Sequence, residues 1–528
     1  MTNYDKTDKI LENIVVAFEK RDKSGRTLDI AIDAKLGEYK GKIAGNKVTA
    51  GSHSQLIDVL GRILRKPDLS EGVFVSKKSI CGIYFATHFK NYLDAAPLEE
   101  LFEYIDDLAF WGMNTLRLWF DMHHYTDMDD GKEAATRILE IMKHAKSMGI
   151  RVAMTTLANE AFKDSPKALR ADWTAGHDGY VTELDDHYHL EICPSKKGGM
   201  QQILDDRRKM LELFKDGNPD FVTIGPYDEG GCTCPDCAPW GGNGYIKTIE
   251  ALIPLYKEYF PDVKLIAEFW KFGAFTGNDI EYELFYRALN EGRLNEIKYV
   301  SAEPAYAEYA FKHSPGVPLI GFPEISMYGA WPWGGYGANP MPERMGRWWH
   351  KCSSMLDGGF PYSEGIYEDL NKVIMLRQYR DNQTPTDTIR EYLSYEFGLK
   401  DEILEKVTLA VLDMEETLDR DYHFPFVKNE EGVEEYCVEL ATHYYPIAHP
   451  GKTESIEKVF KEANDILPKE IKESVKWQLL YLRAVIDAEI VRNNFYRNDK
   501  ILDYFKKLVK LMHVENSGHY TSPDIFEP

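Results

Sequence analysis

Phe221–Gly244, FVTIGPYDEGGCTCPDCAPWGGNG, is the stretch on which the reading of the whole chain turns. Its first four residues, Phe221 to Ile224, make a short buried strand. The strand runs straight into a loop holding Tyr227 and the adjacent carboxylates Asp228 and Glu229. Gly230 and Gly231 let the backbone turn sharply, or approach a ligand, without a Cβ clash. Cys232, Cys234 and Cys237 follow, then Trp240, and a helix begins near Tyr245. An apolar strand that delivers acids at its C-terminal end is how a parallel α/β enzyme presents catalytic groups. The competing reading is a solvated acidic turn beside a small metal knuckle.

Outward from this strand the chain alternates strand and helix. Strands are predicted at Ile80 to Phe85, Thr115 to Phe120, Arg151 to Thr156, Lys264 to Phe269, Tyr299 to Glu303, Pro318 to Phe322 and Gly359 to Ser363, besides the one at Phe221. Helical patterns lie between most of them, at Leu98 to Phe110, Ala134 to Met148, Met200 to Phe214, Tyr245 to Tyr259 and Glu281 to Leu289. Eight strands alternating with helices over this span predict an α/β fold of the (β/α)8 kind, a TIM barrel, at residues 76–383. A doubly wound sheet is the rival, but its first strand would carry a glycine-rich phosphate turn, and here FATHFKNY follows instead.

Before the barrel, residues 1–75 read as a small α+β accessory domain, with strand-like runs at Asn13 to Phe18, Leu28 to Ile32 and Lys47 to Thr49 and a helix from Ser54 to Leu64. KPDLSEGVF reads as a linker into the barrel. After it, residues 384–528 read as a helical C-terminal domain, with helices at Thr384 to Tyr395, Glu402 to Leu418, Val433 to Tyr444, Ile456 to Ile466, Ile471 to Phe495 and Lys500 to Val514.

Composition narrows the function. A net charge of −23 excludes nucleic acid and anionic membrane as partners, since both need basic patches. No stretch approaches the ~20 apolar residues that span a bilayer, and the N-terminus lacks a basic segment followed by an apolar one, so the expected location is cytoplasmic. Seven cysteines in 528 residues do not form a disulfide framework.

In such a barrel the active site lies at the C-terminal ends of the strands. Strand one is followed by His88; strand two gives Arg117, Trp119, Asp121, His123 and His124; strand three ends at Asn159 and Glu160. Strand four gives Tyr227, Asp228 and Glu229; strand five Glu268 and Trp270; strand six Glu303; strand seven Glu324 and then Trp331 and Trp333; strand eight Tyr362 and Glu364. Carboxylates mixed with tryptophans and tyrosines fit carbohydrate: flat rings cover the C–H faces of a pyranose while acids accept from its hydroxyls. Hydrolysis of a glycosidic bond needs a protonated carboxylic acid at the leaving oxygen and a second group that attacks or stabilises the anomeric carbon. No cofactor is expected for that chemistry.

The C-x-C-x-x-C cluster brings three thiols within reach of one cation, and Cys193 is the best fourth ligand for a structural zinc, with His187 and His189 as alternatives. Reduced cysteines or a single disulfide is the competing reading.

Several stretches resemble known families. KIAGNKVTAGSHSQLIDVLGRILR is similar to the accessory α+β domain preceding the barrel in family 20 β-N-acetylhexosaminidases and α-glucuronidases, and FVTIGPYDEGG resembles the strand–Asp–Glu arrangement of the hexosaminidases. DEGGCTCPDC, CPSKKGG and YSEGIYEDLNK look like a related, Cys-containing branch of barrel hydrolases. The resemblance implies that Glu229 is the general acid and that Asp228 orients a 2-acetamido group acting as internal nucleophile. Pro226 and Tyr227 stand where the hexosaminidases have Gly-Gly, a departure at the acetamido-recognising step. A second plan, common in retaining glycosidases, keeps Glu229 as acid/base and places a glutamate nucleophile at the end of strand seven, where Glu324 stands.

The expected function is therefore an exo-acting, retaining glycoside hydrolase acting on an oligosaccharide or small glycoside, hexosaminide-like or related. A homodimer is compatible with the sequence. The alternative is a non-catalytic carbohydrate-binding protein on the same barrel. A metal-dependent amidohydrolase would need His-x-His after strand one, where only His88 stands.

Overall fold

The structure is a computed structural model that describes residues 2–89, 91–172, 190–226, 231–270, 272–273, 276, 278–302, 307–313, 316–326, 337–363, 369–418, 426–428, 434–436, 447–495 and 498–513. Its N-terminal unit holds four strands, β1 (Asp29–Ile32), β2 (Lys40–Ala44), β3 (Lys47–Ala50) and β4 (Glu71–Val75), in the order β1-β3-β2-β4, with the helices Lys9–Arg21 and His53–Arg65. Eight parallel strands then close a barrel in sequence order: β5 (Ile80–Phe85), β6 (Thr115–Trp119), β7 (Arg151–Leu157), β8 (Phe221–Gly225), β9 (Lys264–Glu268), β10 (Ile297–Ala302), β11 (Leu319–Gly321) and β12 (Leu356–Gly359). Each is followed by a helix, from Leu98–Phe110 after β5 to Asp369–Asp381 after β12. Helices Pro385–Phe397, Asp401–Glu416, Pro450–Ile466, Val475–Arg492 and Asp499–Leu511 complete the described C-terminal region. This is a (β/α)8 barrel between a small α+β unit and a set of helices.

Period-2 alternation in the strands sorts the apolar residues into two clusters. Ile80, Tyr84, Ala153, Phe221, Ile266 and Phe322 belong to the one that fills the barrel. Ile83, Val152, Val222 and Leu265, one position along on β5, β7, β8 and β9, belong with Leu116 of β6 and Val300 of β10 to the other, which packs against the helices. A buried polar belt of Arg117, Thr155, Thr223, Glu268 and Ser301 crosses the same strands, so the barrel's contents are not uniformly apolar.

Three local expectations are corrected. NIVVAF, read as a strand, lies inside a helix, Lys9–Arg21, whose first turn is capped by the Asp8 side chain accepting from the Leu11 N–H. Leu11, Ile14, Val15 and Phe18 form its buried stripe, a helical period that a six-residue window hides. The second half of the supposed linker lies in β4, which pairs antiparallel with β2 from Glu71↔Ala44 to Val75↔Lys40. Within the stretch read as a helix from Val433 to Tyr444, the described residues Glu434–Tyr436 form a strand paired with Phe426–Lys428.

The eighth strand lies three residues earlier than its sequence pattern suggests, because it runs through Gly358 and Gly359. A Cβ on Gly358 would stand 1.7 Å from the Ile80 carbonyl oxygen, and its φ of +105° favours glycine. Barrel closure against β5 therefore selects a residue that in isolation reads as a turn.

A buried ionic cluster ties the N-terminal unit to the barrel. Asp58, on the helix His53–Arg65, receives Arg377 Nη1 at 2.9 Å and Arg62 Nε at 3.1 Å. Arg380 Nη1, beside Arg377 on Asp369–Asp381, donates to Gln55 Oε1 at 2.9 Å and its Nε to the Gly112 carbonyl at 2.7 Å. Burial alone would raise the Asp58 carboxyl; Arg62, Arg380, Arg377 and Arg65 together outweigh it and hold the group far below the carboxylate range.

Candidate active site

The C-terminal ends of β5, β6, β7, β9, β11 and β12 converge on a mouth built from rings, acids and one arginine. Arg117 projects from β6 into the barrel, where its Nε donates to Thr155 Oγ1 at 2.7 Å and its Nη1 stands 2.9 Å from Glu268 Oε2. That last contact is an ion pair whose angle falls outside hydrogen-bond geometry. The guanidinium is stacked on Phe322 and Tyr84, 4.6 Å and 4.8 Å from the ring centroids. A buried guanidinium packed against two rings and neutralised by one carboxylate is a rigid floor.

Above it stand the aromatic residues. Phe322 and Tyr362 are parallel, centroids 4.6 Å apart, and Tyr84 leans on both at 5.8 Å. These three are buried, whereas His88, Trp119 and Trp270 keep part of their surface exposed. His88 lies 4.1 Å from Trp119 by ring centroid, and Trp270 meets Phe322 edge-on at 6.2 Å. Glu324 is half-buried after β11; its Oε1 accepts from the Ser326 N–H at 2.6 Å, and it bridges in parallel to Tyr362.

Beside this wall is a second buried polar knot. Glu160 Oε1 accepts from the Met122 N–H at 2.9 Å and the Trp119 indole N–H at 3.3 Å. Its Oε2 accepts from the Leu157 N–H and from Arg207 Nη1, each at 3.2 Å. Asp121 accepts from the His123 N–H at 3.0 Å and lies 3.1 Å from His123 Nδ1. Burial raises the Glu160 carboxyl, Arg207 and His123 pull it back, and Asp121 adds to the rise. Burial would raise Asp121 too, but the hydrogen bond and charge of His123 hold it well below the usual range. Two neighbouring acids thus have their proton affinities pushed apart. Ligand atoms of Asp121, His123 and Glu160 lie within 4.8 Å of one another and could meet a cation. Arg207 already brings a positive charge to Glu160, so this group is satisfied as an ionic knot.

Of the residues expected at the site, the structure brings together His88, Arg117, Trp119, Asp121, His123, Glu268, Trp270, Glu324 and Tyr362. Arg117, Asp121 and His123 were expected to meet substrate; all three are buried and turned toward partners within the protein. Tyr227, Asp228, Glu229, Glu303, Trp331, Trp333 and Glu364 lie outside the described residues. Arg207 escaped sequence reasoning, although it sits on the buried stripe of Gly199–Phe214 with Ile203, Met210, Leu211 and Phe214. An arginine on an apolar helical face is the signal that could have found it.

The flanks of the strand-four loop are firmly held. Gly231 has φ +87°, and a Cβ there would stand 2.2 Å from the Trp240 ring, while one on Gly244 would stand 2.3 Å from the same ring. Both glycines pack directly against the indole, where any side chain would collide with it. Tyr245 Oη then donates to the carbonyls of Ile224 at 2.5 Å and Glu268 at 3.0 Å, tying the ends of β8 and β9 together. Beyond the loop, Cys193 Sγ lies 3.8 Å from both Cys234 Sγ and Cys237 Sγ, and the sulfurs of Cys193, Cys232, Cys234 and Cys237 all lie within 4.8 Å of one another.

No protein-family model and no curated protein matches the chain. Solved structures do. A family 89 glycoside hydrolase from Clostridium perfringens, in complex with PUGNAc, superposes with a TM-score of 0.61 at 14% identity, over 96% of this chain and 65% of that one. The C. perfringens enzyme carrying two Glu-to-Gln substitutions, in complex with its substrate GlcNAc-α-1,4-galactose, gives 0.62 at 13% over the same shares. A family 138 enzyme targeting pectin rhamnogalacturonan II gives 0.57 at 10% identity, over 99% of this chain and 73% of that one. The shared fold is that of barrel glycoside hydrolases. The chain spans 65% of the length of the family 89 enzyme. These neighbours belong to families 89 and 138, so the resemblance to family 20 rests on the sequence motifs alone. Among the described residues no helix is long and apolar enough to cross a membrane.

Proposed function

We propose that the chain is an exo-acting, retaining glycoside hydrolase that cleaves a hexosaminide-like or related glycoside at the C-terminal mouth of its barrel. Glu229 is its general acid/base, with Asp228 or Glu324 as the partner. The observation that carries this reading is the ring-lined mouth itself: His88, Trp119 and Trp270, each partly exposed, adjoin buried Tyr84, Phe322 and Tyr362, and Glu268 and Glu324 lie at the same strand ends. The family 89 neighbour holds a GlcNAc-containing disaccharide, which supports a sugar of that class.

In this mechanism the rings cover C–H faces of the terminal sugar and exclude water from the scissile bond. Glu229 gives its proton to the leaving oxygen, and the anomeric carbon is attacked either by the Glu324 carboxylate or by a 2-acetamido group held by Asp228. Water then enters, and the same glutamate, now a base, takes its proton. Arg117, Asp121 and His123 act as positioning residues: Arg117 fixes Glu268 and the rings, and the Asp121–Glu160 knot fixes Trp119.

The partner is found by paired variants. Azide restoring turnover to Glu324→Ala assigns a protein nucleophile. Loss of rate with Asp228→Asn, together with inhibition by a thiazoline, assigns substrate assistance. Neither result, with wild-type turnover intact in both variants, removes both assignments. For the wall, a ring face covering on the order of 50 Å² of sugar C–H surface contributes about 1 kcal/mol. Trp270→Leu is therefore expected to raise KM about fivefold while leaving kcat nearly unchanged, as read in steady-state kinetics.

A further inference from the structure

We propose that Cys193, Cys232, Cys234 and Cys237 bind one zinc ion as a closed, all-thiolate structural site. The four sulfurs come from two separate segments, the stretch entering the helix Gly199–Phe214 and the loop leaving β8. Their spacing is the first argument. A tetrahedral zinc with Zn–S bonds of about 2.3 Å sets its sulfurs about 3.8 Å apart. Cys193 stands 3.8 Å from Cys234 and 3.8 Å from Cys237. A disulfide needs its sulfurs at about 2.05 Å, and all four cysteines are unbonded.

The surroundings are the second argument. The Asp172 N–H points at Cys232 Sγ at 3.4 Å, and the Ser195 hydroxyl stands 3.1 Å from Cys237 Sγ. Donors aimed at sulfur are the outer contacts that hold thiolate ligands in place. Lys247 Nζ donates to Ser195 Oγ at 2.8 Å, which brings an ammonium group beside a site that would carry two negative charges with zinc bound, while Lys196 Nζ pairs with Asp172 Oδ1 at 2.8 Å and holds the residue whose N–H faces Cys232. Four converging thiolates without a cation would repel one another. An all-sulfur set also leaves no open position, which makes the ion a brace and keeps it out of the hydrolytic step.

The consequence for activity rests on the glycosidase reading above, whereas the metal assignment does not. Cys232 lies three residues beyond Glu229, so the ion would anchor the exit of the stretch that carries Asp228 and Glu229.

Metal analysis of the purified full chain is the test, with activity measured separately. One zinc per chain is expected, released when a mercurial titrates the thiols, and replaced by cobalt with the absorption of a tetrahedral thiolate complex. Cys193→Ser is expected to lose the metal, while Cys81→Ser and Cys352→Ser, buried cysteines outside the cluster, retain it. If Cys193→Ser does not fold, the wild-type stoichiometry and cobalt spectrum still decide. A metal-free chain with all seven thiols free, an iron-loaded coloured protein, or a disulfide among the four would overturn the proposal. A zinc-loaded chain that cleaves no glycoside would leave the metal site standing and remove only the glycosidase reading.

Discussion

Glu229→Gln is expected to lower kcat/KM on alkyl glycosides by about 10²- to 10⁴-fold, the range contributed by a positioned general acid. The loss depends on the leaving group. An alkoxide needs a proton as the bond breaks, whereas a nitrophenolate or fluoride departs nearly unaided, so the variant is expected to approach wild type on activated substrates. Glutamine keeps the size and hydrogen-bonding reach of glutamate but has no proton to give. A uniform loss across all leaving groups would point to misplacement of substrate rather than to lost acid catalysis, and would move the acid's role to another strand end. Glu324→Gln separates the two plans: as a nucleophile it is expected to be as damaging on activated substrates as on poor ones.

The largest effect on stability is expected at Asp58. Its side chain is 1% exposed, and Arg377, equally buried, stands 2.9 Å from it. Removing one partner of a buried ion pair leaves an uncompensated charge and costs about 3–5 kcal/mol. Arg62 and Arg377 keep Asp381 as a second anion, so Asp58→Ala is expected within that range, not above it, in denaturant unfolding. The pH dependence has a defined sign. A carboxyl depressed on folding contributes stability that is present above its ordinary value of 3.8 and is lost as pH falls through the folded value. Wild type is therefore expected to lose stability steeply below about pH 4, and the Asp58→Ala variant to lose less over the same interval. A change within about 0.5 kcal/mol at neutral pH would mean that the cluster does not fasten the N-terminal unit to the barrel.

Much of this architecture is legible in the sequence because barrel strands obey a simple rule. Ile83 and Phe85 pack outward on helices while Ile80 and Tyr84 fill the barrel, so the strand reads as apolar throughout and ends where Thr87 and His88 begin. The rule weakens where tertiary contact overrides local pattern. β12 passes through two glycines because the β5 backbone lies against it, and NIVVAF belongs to a helix whose cap, Asp8, stands five residues upstream. Residue type and strand-end position place Trp119, Glu268, Trp270 and Tyr362 at the mouth of the barrel, where the structure also has them. They do not distinguish a partly exposed side chain from a buried one that holds its neighbour. Arg117 and Asp121 differ from Trp119 chiefly in depth, and depth is set by Phe322, Tyr84 and Arg207, contributed by elements far apart in the chain.

The central claim is that residue 229 protonates a glycosidic oxygen in a ring-lined mouth. It is tested most directly by incubating wild type and Glu229→Gln with a panel of aryl glycosides that includes the N-acetylglucosaminide and the glucuronide. Wild type is predicted to release the aglycone from at least one of them and the variant to do so far more slowly wherever the aglycone is a poor leaving group. Wild-type binding of these sugars without cleavage of any, unchanged by the substitution, would contradict it and leave a carbohydrate-binding barrel in its place.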